Sequence, residues 1–327
     1  MRILMIGGTR FVGRHIVEAA LAAGNDVTLL HRGTGADLFP ELEHVHLDRD
    51  GSLDVLAART FDATVDTSAY FPRQVTSYAD VMGARAGRYL VISSTSAYAR
   101  PDGPGFHESS PTVEPAGDDV TEITDISYGQ LKVAVELVAR ERFGSRATVV
   151  RPTYVIGPHD YTERFTYWVE RIAEGGEVLA PGDPNDPMQV IDARDMAAWI
   201  VRLLENDVEG TFHAVSPDPP FSFRDMLAVI RDQVAPEGTQ LTWCDPRWLL
   251  DQGENGSTLP LWGEDDPWIE ANAASPAAAR ATGLDVRPLA TSVREILAYA
   301  QQHPDRPDRE AMTRAREREL LDAWHSH

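Results

Sequence analysis

Two residue types are nearly missing from this chain. Of 327 residues, one is a cysteine, Cys244, and one is a lysine, Lys132. A single cysteine excludes an internal disulfide framework and suits a reducing compartment. Positive charge is also short: 30 basic residues face 51 acidic ones, for a formal charge of −21. That deficit argues against a nucleic-acid partner, because phosphate binding needs a basic footprint. Long apolar runs are absent, so neither a transmembrane helix nor a membrane partner is expected. Met1-Arg2 leads into a short apolar run and then glycines, too little for the apolar region of a signal peptide, and a cytoplasmic location is expected. No Cys/His cluster has structural zinc spacing and the ten histidines are scattered along the chain, so no metal is expected. With 43% hydrophobic residues a full core is affordable, and the length fits one large α/β unit plus a smaller lobe.

What the chain does have is a rhythm of apolar runs and glycines. Arg2-Ile3-Leu4-Met5-Ile6 is of strand length, Gly7-Gly8-Thr9-Arg10-Phe11-Val12-Gly13 follows, and a helical pattern continues through Ile16, Val17, Ala20 and Leu21 to Gly24. Asp26 to Leu30 reads as a second strand, ending at His31-Arg32-Gly33. Strand, glycine turn, helix and strand in this order form the unit of a parallel doubly wound sheet. Further strands are read at 45–48, 62–66, 88–94 and 147–152, with 88–94 continuously apolar as buried parallel strands are. Beyond them, 181–187 is loop, 188–191 a short strand and 196–204 a helix. From Ser216 onward prolines, tryptophans and short helices alternate without a βαβ rhythm. The expected fold is α/β, a doubly wound parallel Rossmann sheet with a smaller, mostly C-terminal substrate-binding lobe. Residues 1–157 with 188–215 form the sheet domain, 158–187 with 216–303 the lobe, and 304–327 a charged tail, either a peripheral helix or a loose end.

A glycine turn between the first strand and helix lets backbone N–H groups and the helix N-terminus meet a pyrophosphate. Gly7 suits the tight turn and Gly13 allows close helix–sheet packing; Thr9, Arg10, Phe11 and Val12 belong to the same cofactor-binding turn. Where an acidic residue would hold the ribose of NAD, this chain has His31 and Arg32. A basic side chain there pairs with a 2′-phosphate, so NADP is preferred over NAD, the alternative being a solvated Arg32 at a strand end. Asp48 either accepts from the adenine amino group or serves as a turn residue. Ser68 and Ala69, just past the fourth strand, complete this group of cofactor contacts.

The chemistry centres on Ser127-Tyr128-Gly129-Gln130-Leu131-Lys132. Tyr128 and Lys132 lie four apart in a helical run, on one face and one turn apart. An ammonium there stabilises the phenolate and lowers the tyrosine's pKa toward neutrality, as a general acid/base requires. The plain alternative is a surface helix with a snorkelling lysine.

Together these pieces resemble the extended short-chain dehydrogenase/reductases, the NAD(P)-dependent epimerase/dehydratase group. The matching residues are Gly7-Gly8-Thr9-x-Phe11-Val12-Gly13, Asp48, the strand ending in Ser93-Ser94, Tyr128-x-x-x-Lys132 and Arg151-Pro152-x-x-Val155-x-Gly157-Pro158. Val190-Ile191-Asp192-Ala193-Arg194-Asp195 matches the segment that returns the chain to the sheet domain. The resemblance implies that Ser94 holds the reacting oxygen, Tyr128 is the acid/base and Lys132 grips the nicotinamide ribose. It places Pro152, Thr153 and Tyr154 on the nicotinamide pocket. Four departures matter. Arg10 replaces the family's middle glycine, so its side chain points away or contacts a phosphate; this variant resembles an atypical subgroup that includes chloroplast RNA-binding proteins. The stretch 69–88 is short, which counts against the usual two-helix dimer and leaves a homodimer open. Thr95-Ser96 follow Ser94 where dehydratases carry Asp-Glu, which argues against that dehydration. Pro187-Met188 stand in place of an arginine of sugar-nucleotide enzymes, so a diphosphate-linked sugar is not implied.

Thr95, Ser96, His159 and Trp168 are the candidate substrate contacts, although Phe165 and Trp168, three apart, also read as one packing face of a helix. Trp243, Trp248, Trp262 and Trp268 either cover the pocket or form the lobe's core. The expected function is an NADP-preferring oxidoreductase or epimerase acting on a hydroxyl or carbonyl of a sugar-like small molecule. The alternative is a non-catalytic nucleotide-sensing or RNA-binding protein on the same scaffold.

Overall fold

The structure, a computed structural model, describes residues 1–33, 35, 37–101, 103–263, 269–306 and 311–327. Strand and helix alternate at first: β1 (Arg2–Ile6), α1 (Phe11–Ala22), β2 (Asp26–His31), β3 (Glu43–His46), β4 (Ala63–Asp66), α2 (Pro72–Met82), β5 (Arg88–Ile92), α3 (Asp125–Phe143) and β6 (Ala147–Pro152). Then come β7 (Tyr154–Ile156), α4 (Arg164–Ala173), β8 (Glu177–Pro181), β9 (Val190–Asp192), α5 (Ala193–Glu205) and β10 (Gly210–Ala214). The chain closes with α6 (Phe223–Val234), β11 (Gln240–Cys244), α7 (Pro246–Asp251), α8 (Ala277–Ala281), α9 (Leu289–Gln302) and α10 (Arg314–His325).

Seven strands form one sheet in the order β10-β6-β5-β4-β1-β2-β3, and every pairing is parallel. Helices cover both faces, so the period of two sends alternate strand residues into two cores. Ile3 and Met5 meet Ile16 and Val17 of α1 and Trp199 of α5; Leu4 and Ile6 meet Val75 and Tyr78 of α2 and Val135 of α3. The strand order reverses between β1 and β4, which opens a crevice at the C-terminal ends of the strands. This is the doubly wound Rossmann sheet that the sequence predicts.

Two devices set α3 against that crevice. Thr124 and Ser127 close a capping box, the Ser127 amide donating to Thr124 Oγ1 (3.1 Å) and the Thr124 amide to Ser127 Oγ (2.8 Å). The helix start is thereby fixed, with Tyr128 in the first turn and Lys132 one turn on. The second device is Gly129. A β-carbon there would stand 2.1 Å from the carbonyl oxygen of Ser96, so the helix lies directly on the turn that carries Ser94.

A further core is built by Phe165, Trp168 and Ile172 of α4, Val178 and Leu179 of β8, Phe223, Met226 and Ile230 of α6, and Val293 and Ile296 of α9. It includes a two-stranded parallel sheet of β8 and β11, which the sequence reading does not contain. Trp262 belongs to this core and Trp243 and Trp248 pack against it; Trp268 lies outside the described residues. The charged C-terminal segment forms a docked helix: Leu320 and Leu321 of α10 are buried, and buried Glu317 pairs with buried Arg171 at 2.6 Å. Among the described residues no helix is long and apolar enough to cross a membrane.

Candidate active site

The glycine turn after β1 is tight. Gly7 has φ +104°, and a β-carbon on it would come within 2.2 Å of Thr67 Oγ1. One on Gly13 would come within 2.6 Å of the Gly8 amide nitrogen, so α1 sits against the turn at backbone contact distance. The turn opens onto a cavity of about 480 Å³ lined by Gly7, Thr9, Arg10, Phe11, Val12, Gly13, Arg32, Asp48 and Ser68 among others. Ala69 is not on that wall; its carbonyl accepts from Lys132 at 3.0 Å. Arg10, the departure from the family's turn, reaches across the cleft mouth and lies 4.9 Å from the ring of Tyr161.

His31 corrects an expectation. It touches the cavity but is buried, its Nε2 is 2.8 Å from His44 Nδ1, and its Nδ1 accepts from the Gly33 amide at 3.1 Å. Neither nitrogen is left for a phosphate. Arg32 is exposed, lines the cavity and has no ion-pair partner among the described residues. The scattered histidines of the sequence also come together here, because His44 and His46 lie on β3 beside His31. Asp48 lines the cavity, and its Oδ1 accepts from the Asp50 amide at 3.1 Å.

Arg49 is the residue that sequence reasoning missed. Arg49 lines the cavity, its two terminal nitrogens grip Asp66 at 2.7 Å each, and its buried Nε has no hydrogen-bond partner among the described residues. Full burial alone would raise the Asp66 carboxyl; the Arg49 guanidinium and the Tyr89 hydroxyl (2.7 Å) outweigh burial and hold it below its ordinary value. No local spacing signals this pair, which forms across seventeen residues. A tight glycine cradle, an uncommitted Arg32 and an orphaned Arg49 donor are the features that a bound dinucleotide would satisfy.

Ser94 ends the strand segment after β5 and caps the next turn, accepting from the Ser96 amide at 3.1 Å. Its hydroxyl donates to Ser96 Oγ at 3.1 Å and lies close enough to the Tyr128 phenol to lower its pKa. Lys132 is buried and donates to the carbonyls of Ala69 and Ile92, 3.0 Å each, leaving one ammonium donor. The ammonium lies 4.5 Å from the ring of Tyr70 and 5.7 Å from that of Tyr128. The expected lowering of the tyrosine does not hold in this state. Burial, with Tyr70 beside it, pushes the phenol up to about 12, and the Ser94 hydroxyl and Arg164 offset only part of that. Burial likewise pushes Lys132 down to about 8, against the pull of Asp66.

Ser94, Thr95, Ser96, Tyr128, Lys132, Pro152, Thr153 and Tyr154 all line a second cavity of about 1030 Å³, which meets the first at Phe11, Val12, Thr67 and Tyr161. Arg164, Trp262 and Asn272 close it from the other side. The Arg164 guanidinium lies 5.0 Å from the ring of Tyr154 and has no carboxylate partner among the described residues. Two expected substrate contacts are elsewhere. Trp168 is fully buried, its Nε1 donating to the Pro260 carbonyl at 2.6 Å, because it faces the amphipathic core side of α4. His159 packs between α1 and α9, with its Nδ1 2.8 Å from Tyr299 Oη and 3.3 Å from Arg14 Nη1.

The sequence model of the NAD dependent epimerase/dehydratase family matches residues 57–215. Among curated proteins, the chain is 23% identical to the chloroplast stem-loop binding protein of 41 kDa b of Arabidopsis thaliana over 63% of its own length. It is 27% identical to 2′-dehydrokanamycin reductase of Streptomyces kanamyceticus over 69%. The matches span 56% and 64% of the length of those two relatives. Among solved structures, UDP-glucuronic acid 4-epimerase of Bacillus cereus in complex with NAD superposes with a TM-score of 0.66. That match covers 94% of this chain and 99% of the other at 13% identity, a likeness of fold. The segment matched by that family's model contains Ser94, Tyr128 and Lys132.

Proposed function

We propose that this protein is an NAD(P)-dependent oxidoreductase or epimerase acting on a hydroxyl or carbonyl of a sugar-like small molecule, with NADP preferred over NAD. The observation that carries this reading is the convergence of the Ser94 hydroxyl, the Tyr128 phenol and the Lys132 ammonium on one cavity wall, beside the cavity of the glycine turn. The nicotinamide of a bound cofactor supplies hydride donation and acceptance. The chain's own residues handle the oxygen and the proton. Ser94 orients the reacting oxygen. Tyr128, with its phenol raised to about 12, is protonated at neutral pH and gives that proton to a carbonyl oxygen held by Ser94. In the reverse direction the same atom accepts it. Lys132 stays cationic below about pH 8 and keeps one donor for the cleft. Arg32 at the end of β2 attracts a 2′-phosphate, and the absence of an acidic residue there removes the usual partner of an unphosphorylated ribose.

The test is cofactor binding followed by turnover. NADPH fluorescence should report tighter binding than NADH, and Arg32→Ala should erase roughly 10–100-fold of that preference, the value of one charge-assisted contact. Tyr128→Phe should bind NADPH unchanged yet lose at least about 100-fold in NADPH consumption against a panel of keto-sugars. Binding of neither cofactor, or full turnover by Tyr128→Phe, would sink the reading.

A further inference from the structure

β2 and β3 run parallel with His31 opposite His46, and His44 precedes His46 by two residues. The period of two therefore puts all three imidazoles on one face of the sheet. One nitrogen of each lies within 4.8 Å of those of the other two. The three rings grade from core to solvent, with His31 buried, His44 half-buried and His46 exposed. We propose that His31, His44 and His46 form a binding site for a divalent transition-metal cation of the zinc class, with a remaining coordination position open toward solvent.

The donor chemistry selects the cation. An all-imidazole set suits zinc, nickel and copper rather than magnesium or calcium, which take oxygen ligands. Three protein nitrogens plus one open position is a coordination set zinc adopts. The hydrogen bonds already orient one ring for this purpose. His44 Nε2 lies 3.0 Å from the Phe39 carbonyl, so the proton belongs on Nε2 and the Nδ1 lone pair points into the cluster. A carbonyl holding the far N–H is the outer-sphere arrangement of metal-bound histidines. Between His31 Nε2 and His44 Nδ1, 2.8 Å apart, a single proton now sits. A cation with bonds of about 2.0–2.1 Å replaces that proton once the nitrogens spread to about 3.3 Å. His46 makes ring contacts with both partners and no hydrogen bond among the described residues, so its nitrogens are free to turn inward.

One rearrangement is required. Ligation through His31 Nε2 moves that ring's proton to Nδ1, where the Gly33 amide now donates at 3.1 Å. The amide must turn away, and Gly33, at φ +104°, is the residue type with the freedom to do so.

The site is tested on the untagged full chain with zinc sulfate alone and no cofactor, so its outcome is independent of the oxidoreductase reading. Titration calorimetry should find one equivalent binding at micromolar concentration or tighter. His44→Ala and His46→Ala should each weaken it at least about 100-fold, with circular dichroism confirming the fold. Because His46 is exposed, its replacement leaves the core intact. Affinity should fall in acid, because a protonated imidazole nitrogen cannot ligate. Cobalt should give the visible absorption bands of a tetrahedral nitrogen site in the parent chain and not in His46→Ala. Absence of saturable binding, or binding unchanged in both variants, would overturn the site.

Discussion

Gly129 has no room for a side chain, and that single fact couples two catalytic candidates. Its missing β-carbon lets α3 rest on the Ser96 carbonyl, which sets Tyr128 and Ser94 on the wall of the same cavity. Gly129→Ala gains up to about 1 kcal/mol of helix propensity. It must also push two backbone segments apart, and overpacking of that kind costs about 1–3 kcal/mol. The clash wins, because the obstructing atom is a backbone oxygen rather than a flexible side chain. The expected result is a net loss of about 1–2 kcal/mol by denaturant unfolding. Turnover should fall at least tenfold, since a displaced Tyr128 loses its alignment with Ser94. A variant with unchanged stability and turnover would show that the close approach is dispensable. Tyr128, Lys132 and Ser94 were legible from sequence because their spacing is local or lies at a strand end. The pKa of Tyr128 was not, since it is set by burial and by Tyr70, which reaches the site from another segment.

Elements were easier to read than the faces they present. The sheet strands were recognisable from their apolar runs, but the third was read at 45–48 and is formed by Glu43–His46. That small shift hid the His44 and His46 pair, and only the parallel register with β2 adds His31. Trp168 was ambiguous for a related reason: its sequence position fits a pocket wall or a core face, and only tertiary packing puts it with Phe165 and Tyr167 in the core. His159 illustrates a contact between elements that has a measurable pH signature. It sits at the junction of α1 and α9, and burial first, then Arg14 and His15, push it down to about 4. The unfolded chain takes up a proton near pH 6.5 that the folded chain refuses until about 4. Stability contributed by this neutral histidine is therefore full above 6.5 and declines as pH falls toward 4. Its backbone is left-handed, φ +68°, a conformation asparagine tolerates. His159→Asn should thus flatten the dependence of Tm on pH between 6.5 and 4; parallel curves for variant and parent would assign the acid sensitivity elsewhere.

At the scale of the whole molecule, charge separates the two functional readings. A net −21 produces a repulsive potential toward phosphate backbones, and polyanion binding requires cations gathered on one face. Here many of the arginines are committed: Arg151 to Glu136, Arg171 to Glu317, Arg287 to Asp195 and Arg306 to Glu163. Arg32 and Arg164, which have no such partner among the described residues, line cavities sized for small molecules. Under the proposed function this charge distribution is expected to favour a nucleotide cofactor and a small substrate over RNA. Filter binding with a stem-loop RNA should show no retention at 150 mM salt and little gain at 50 mM. A true phosphate binder making several contacts would gain orders of magnitude over that interval. Retention with a steep salt slope would instead mark an RNA surface, and NADPH would then be expected to compete for it only if that surface included Arg32.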